Sequence, residues 1–160
     1  MKKIILIILL SIIIIGIVIG VFVINENIRF SKENTNNESL KGKIEEGTEI
    51  LKFSERLFLA QLDDVYMNME EYEGRIIEYT GFVHNIPKTN DFVVAREYYC
   101  CGDDASLVGF EAVTDEKFKD ETWVKVIGKI VLSNKYEYVT PVLEVLSIEE
   151  TVQGERYVNY

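Results

Sequence analysis

The sequence predicts a mainly β fold, a small barrel with one short helix, preceded by a single N-terminal transmembrane helix. Three observations carry this. From residue 75 onward, runs of alternating apolar and polar residues recur five times. Gly81 and Gly128 interrupt two of the strongest runs, where a tightly curved sheet needs a residue without a Cβ. Ahead of them, Ile4 to Ile24 runs 21 residues without a charge.

That apolar run is long enough to cross a bilayer core, which takes about 20 residues. A cleaved signal peptide would have a shorter apolar region and a small-residue cleavage site, and Phe22-Val23-Ile24-Asn25-Glu26 offers none, so an uncleaved anchor over 1–24 is expected. Lys2 and Lys3 precede the run, while Glu26, Arg29, Lys32 and Glu33 mix signs after it. The positive-inside rule then leaves the N-terminus in the cytoplasm and the rest of a single-pass chain outside it, at the cell membrane. Residues 25–49 include the polar run Ser31 to Ser39, too poor in apolar side chains to offset ordering entropy, and read as a linker. Apolar content recovers from Ile50, giving one small domain over 50–160.

Within that domain the helix comes first. Leu62, Val65, Tyr66, Met69 and Tyr72 recur at helical spacing, with Asp63 or Asp64 as the start and Gly74 as the stop. Strands follow over Arg75 to Val83, from Phe92 through Tyr98, over Ser106 to Val113, Trp123 to Leu132 and Tyr138 to Ile148. In the second of these, Phe92, Val94, Arg96 and Tyr98 share one face. Pro87 and Asn134 mark turns. One helix feeding five curved strands is the pattern of an OB-like barrel, although a small β-sandwich would show much the same. The short Tyr157 to Tyr160 tail either docks on the barrel or frays.

Charge narrows the partners. Setting aside Lys2 and Lys3 leaves 15 basic against 27 acidic residues, a formal charge of −12. Such a surface repels nucleic acid and anionic headgroups, and favours cations or a basic partner where it does more than keep the domain soluble. No phosphate loop, paired-histidine metal motif or serine nucleophile elbow occurs.

The blocks Glu71-Tyr72-Glu73-Gly74-Arg75, Tyr79-Thr80-Gly81-Phe82-Val83 and Phe92 to Arg96 are followed by Cys100-Cys101 with Asp104-Ala105, by Thr122-Trp123-Val124 with Gly128, and by Pro141-Val142-Leu143. Together they resemble the C-terminal domain of the YcgQ-type permease-subunit family over roughly residues 50–160. The resemblance implies an OB-like domain attached to membrane helices, paired with a separate multi-spanning permease, with no agreed substrate. Two departures stand out: the family often carries several N-terminal helices where this chain has one, and Gly102-Asp103 replaces the small residues usual between the cysteines and the aspartate.

Both cysteines of the chain lie in that motif. Adjacent Cα atoms are about 3.8 Å apart, short of the roughly 4.4–6.8 Å of an ordinary disulfide, so a Cys100–Cys101 bond would be strained and easily reduced. In a regular strand the two sulfurs point to opposite faces, whereas a turn at Gly102 can gather Cys101 with Asp103 and Asp104. A thiolate with one or two carboxylates begins a site for zinc or copper, which makes Cys100, Cys101 and Asp104 the candidate metal site, with Cys101 for ligand chemistry and Cys100 for packing. His84 is a further candidate ligand, though a lone histidine at a strand end is more often a surface residue. The competing reading makes the cysteines small buried hydrophobes and Asp104 a turn cap. Thiol catalysis is a third, and it lacks a base: His84 is the only histidine, acidic neighbours raise a thiol pKa, and Arg96 would offset them only from the same side. No enzyme is therefore expected. The sequence favours a membrane-anchored extracytoplasmic accessory or binding subunit beside a permease; the alternative is a surface module that binds protein or a small ligand and whose cysteines are structural.

Overall fold

The computed structural model describes residues 15, 17–19, 44, 47–99 and 105–159. The chain divides into two units, 1–44 and 45–160. In the first, Ile15, Ile17, Val18 and Ile19 are helical and exposed; the remainder of the expected transmembrane segment, and the linker up to residue 43, lie outside the described residues. Among the described residues no helix is long and apolar enough to cross a membrane.

Among the described residues the second unit has seven strands: β1 (Ile50–Lys52), β2 (Ile76–Asn85), β3 (Phe92–Tyr98), β4 (Ser106–Val113), β5 (Trp123–Ser133), β6 (Thr140–Glu150) and β7 (Tyr157–Val158). Between β1 and β2 come a 3-10 turn (Glu55–Leu57) and two helices, α1 (Phe58–Met67) and α2 (Met69–Tyr72). The five long strands close on themselves in the order β2-β3-β4-β6-β5, with β5 returning to β2. Four of the five seams are antiparallel; the fifth, β4 with β6, is parallel and short, with only Ala112 opposite Leu143 and Val113 opposite Glu144. A five-stranded closed β-barrel with a short helix is an OB-like architecture. β1 and β7 extend it with short parallel pairings to β2 and β3.

Curvature comes from the two glycines. At Gly128 a Cβ would lie 2.5 Å from Leu143 Cγ and 2.9 Å from the Glu144 carbonyl, beside a β-bulge between Ile127 and Gly128. At Gly81 it would meet the Ala95 carbonyl at 2.8 Å. Both strands cross neighbours too closely for any side chain, as the sequence pattern anticipates.

Inward residues of all five strands form one core that α1 closes with Phe58, Leu59, Leu62 and Val65. The buried Tyr79 hydroxyl donates to the Val94 carbonyl at 2.9 Å and accepts from Phe110 N at 3.3 Å, so the strands it joins leave no orphaned polar group there. Helix boundaries differ from expectation. Burial of Phe58 and Leu59 carries α1 back one turn, so its approach is capped by the Ser54 hydroxyl on Leu57 N rather than by Asp63 or Asp64. Asp64 instead accepts from Asn68 Nδ2 and from the Tyr72 hydroxyl, bridging the break at Asn68 between α1 and α2. The C-terminal tail docks: Val158 is buried in the core beside β3.

Candidate functional site

Cys100, Cys101 and Asp104, the candidate metal ligands, lie outside the described residues, as does Asp103. On either side of them β3 and β4 pair down to Tyr98 opposite Ser106. Tyr99, at the threshold of the motif, packs its ring 5.2 Å from that of Tyr157, and their hydroxyl contact raises the Tyr99 pKa. His84 is on β2 opposite Val93. Five residues of extended strand separate Val93 from Tyr98, about 16 Å, so His84 stands at the far end of β3 from the strand end leading to the cysteines. Among the described residues no group of three or more histidine, cysteine, aspartate or glutamate side chains is arranged to hold a metal.

Arg96, the inward-facing cation of β3, is fully buried. Its guanidinium forks onto Glu55, with Nη1 to Oε2 and Nη2 to Oε1 both at 2.7 Å; its Nε donates to the Thr80 carbonyl at 2.6 Å and its Nη1 also to the Glu155 carbonyl. The rings of Phe58 and Trp123 flank it at 5.3 and 5.1 Å. One side chain thus ties the 3-10 turn, β2, β3 and the C-terminal tail together. With its donors engaged this way, Arg96 serves the fold and is not a free cation for lowering a thiol pKa.

Arg156 reinforces the same tail, reaching Glu97 and Glu121 from its two ends and lying over the Phe82 ring at 4.3 Å. Those two carboxylates raise its pKa.

The open counterpart is a groove of about 670 Å³ beside the short β4–β6 seam. Its walls carry Asp91, Glu111, Asp115 and Glu144, and Val113, Val142 and Val145 supply apolar surface. Lys135, from the β5–β6 turn, lies among them with Nζ 2.7 Å from Asp91 Oδ2 and 2.6 Å from Glu111 Oε1, over the Tyr136 ring at 5.6 Å. The two carboxylates raise the lysine pKa, and Lys135 in turn lowers that of Asp91. Tyr136 donates its hydroxyl to Glu111 Oε2 at 2.9 Å, which raises its own pKa, and stacks with Tyr138 at 6.1 Å. Tyr66 of α1 stacks on Phe110 at 5.4 Å and donates to the Gly109 carbonyl, and desolvation around its hydroxyl pushes its pKa up to about 12. No local pattern in the sequence marks this groove, because its residues come from four separate segments and only strand pairing brings them together. Arg96 was visible as a cation in phase with Phe92 and Val94; its partners were not.

A family model described as the DUF1980 C-terminal domain matches residues 29–160. A protein of Streptococcus mutans named "Putative two-component membrane permease complex subunit" is 25% identical over 112 residues, which is 67% of this chain and 41% of that protein. The chain therefore spans less than half the length of that relative. A match over most of the sequence, on a closed barrel whose strands run through the matched region, makes the chain a member of the DUF1980 C-terminal domain family.

Proposed function

We propose that this chain is the membrane-anchored accessory subunit of a two-component assembly, in which the OB-like domain lies outside the cytosol and a separate multi-spanning permease is its partner. The observation that carries the reading is the 112-residue likeness to a protein named as a subunit of a membrane permease complex. The uncharged run from Ile4 to Ile24 supports the anchor, and the finer placement among YcgQ-type subunits rests on the motif blocks quoted above. In this proposal the chain contributes binding, not catalysis, and Cys100, Cys101 and Asp104 form a thiolate–carboxylate site for zinc or copper.

The test is purification of the tagged full-length chain from membranes in mild detergent, with an unrelated single-pass protein as control. A multi-spanning permease encoded beside this chain should co-purify with it and not with the control; its absence under conditions that keep the chain folded would refute the subunit reading. The metal arm is separate: the reduced full-length protein should bind zinc or copper in calorimetry and lose that binding on Cys101→Ser.

A further inference from the structure

The groove beside the β4–β6 seam carries an inference that deepens the subunit reading and rests on it only for whose segment is bound. We infer that this groove is a docking surface for a lysine- or arginine-bearing segment of a protein partner, and that Lys135 is a built-in competitor occupying the position that the partner's cation would take.

Three features converge. The first is charge: four carboxylates line the groove against one lining lysine. Lys129 pairs with Glu144 at 2.7 Å, but Asp115 has no cation partner among the described residues. The second is aromatic and apolar surface next to those carboxylates, where the Tyr136 ring lies against the Lys135 ammonium and its hydroxyl donates to Glu111. Tyr136 and Tyr138 stack on the β5–β6 turn with Tyr138 69% exposed, and Val113 is 51% exposed on the neighbouring strand. Exposed aromatic and apolar surface beside carboxylates suits the methylene stem and charged head of a long basic side chain. The third is position. The groove collects Asp91 from the β2–β3 loop, Glu111 from β4 and Lys135 from the β5–β6 loop, the loops and strand face through which OB-like barrels take their ligands.

The alternatives fit less well. Nucleic acid and anionic lipid would face like charge, and a second copy of the chain would bring another formal charge of −10. A basic protein segment has the complementary sign, and Lys135 already shows how it would seat: an ammonium between Asp91 and Glu111 with a tyrosine face alongside. Lys135 is 40% exposed, so an incoming cation reaches the same carboxylates by displacing it rather than by opening the core.

The full-length chain in detergent is titrated with a short lysine-rich peptide, and with a glutamate-rich peptide of the same length as counter-probe. Lys135→Met should tighten binding of the basic peptide several-fold, while Lys52→Met, the same charge change outside the groove, should not. The double variant Glu111→Gln with Asp115→Asn should weaken binding about tenfold, and Glu70→Gln with Glu71→Gln, carboxylates of α2 that do not line the groove, should leave it within about twofold. Equal responses to the groove and control variants would overturn the inference, because binding would then follow net charge alone, and so would absence of binding to the basic peptide. A chain that co-purifies with a permease yet shows no groove-dependent peptide binding loses the docking surface and keeps the subunit reading. Groove-dependent binding without a co-purifying permease does the reverse.

Discussion

Arg96 and Lys135 are built from the same parts. Each is a cation between oxygen acceptors with an aromatic ring against it. What separates them is water. Arg96 is 0% exposed, and the groups it touches pin the 3-10 turn and the C-terminal tail onto β2 and β3 of the barrel. Lys135 is on the rim of an open groove with a 40% exposed side chain, one partner, Asp91, 41% exposed and the other, Glu111, 12% exposed. For a cation held out of water, here with its carboxylate partner half exposed, the cost of desolvation is met only if its donors find acceptors, so the arrangement is fixed and its loss is large. On the rim the same contacts are screened and exchange with water, so they add little to folding and stay available to a competitor. The chemistry of the side chains does not distinguish scaffold from surface; burial does.

The sharpest way to break that comparison is Arg96→Leu. It strands the Glu55 carboxylate and the Thr80 and Glu155 carbonyls at once. Breaking a buried pair costs about 3–5 kcal/mol, and because Glu55 is half exposed and can rehydrate, the loss should fall near the lower end, about 3 kcal/mol. Urea unfolding followed by fluorescence of Trp123, the sole tryptophan and a direct neighbour of Arg96, reads it. Arg96→Lys should recover only part, since an ammonium cannot make the planar fork onto Glu55. A loss no greater than that of Lys135→Met would collapse the distinction between the two cations.

Next in size is Gly128→Ala. The new Cβ meets the Leu143 side chain and the Glu144 carbonyl, and the carbonyl is backbone in a strand ladder that cannot rotate away. Overpacking of this kind costs roughly 1–3 kcal/mol. The effect should appear chiefly in stability, and because Glu144 with Val142 and Val145 also lines the groove, a shift of β6 that relieves the clash should carry a smaller loss of peptide binding with it. Unchanged groove binding would mean that the Leu143 side chain alone absorbs the new methyl group.

What the sequence disclosed follows the range of each interaction. Period-two alternation is local, so all five barrel strands were legible, and Gly81 and Gly128 announced the curvature because no substitute fits. The start of α1 was misplaced because an aspartate pair looks like a cap, whereas burial of Phe58 and Leu59 against strands far along the chain decided the boundary. The tail could not be assigned from its own residues: Val158 is buried because β3 has an open edge beside it. The groove was least legible of all, since Asp91, Glu111, Lys135 and Glu144 are spread over more than fifty positions and meet only once the barrel closes. Both cysteines, conspicuous in sequence, lie outside the described residues, so the proposal that they bind a metal rests on the motif alone.

The smallest expected effect is the most diagnostic for the rim. Lys135→Met removes one ion pair to the exposed Asp91 and one to the largely buried Glu111, and should lower unfolding free energy by about 1 kcal/mol, the upper end for exposed pairs. Its pH dependence fixes the assignment. The folded-state pKa of Lys135 is raised, so its contribution is fully present below the unfolded lysine value of about 10.4 and fades as pH climbs through the folded value. The folded-state pKa of Asp91 is lowered, so its share is present above the unfolded aspartate value of about 3.9 and fades as pH falls through the folded value. The stability difference between wild type and Lys135→Met should therefore hold steady from about pH 4 to pH 10, shrink at both ends, and shrink throughout in high salt. If it instead persisted below about pH 3 in high salt, the contribution of Lys135 would come from packing of its methylene stem, and the cation would have to be treated as part of the scaffold like Arg96.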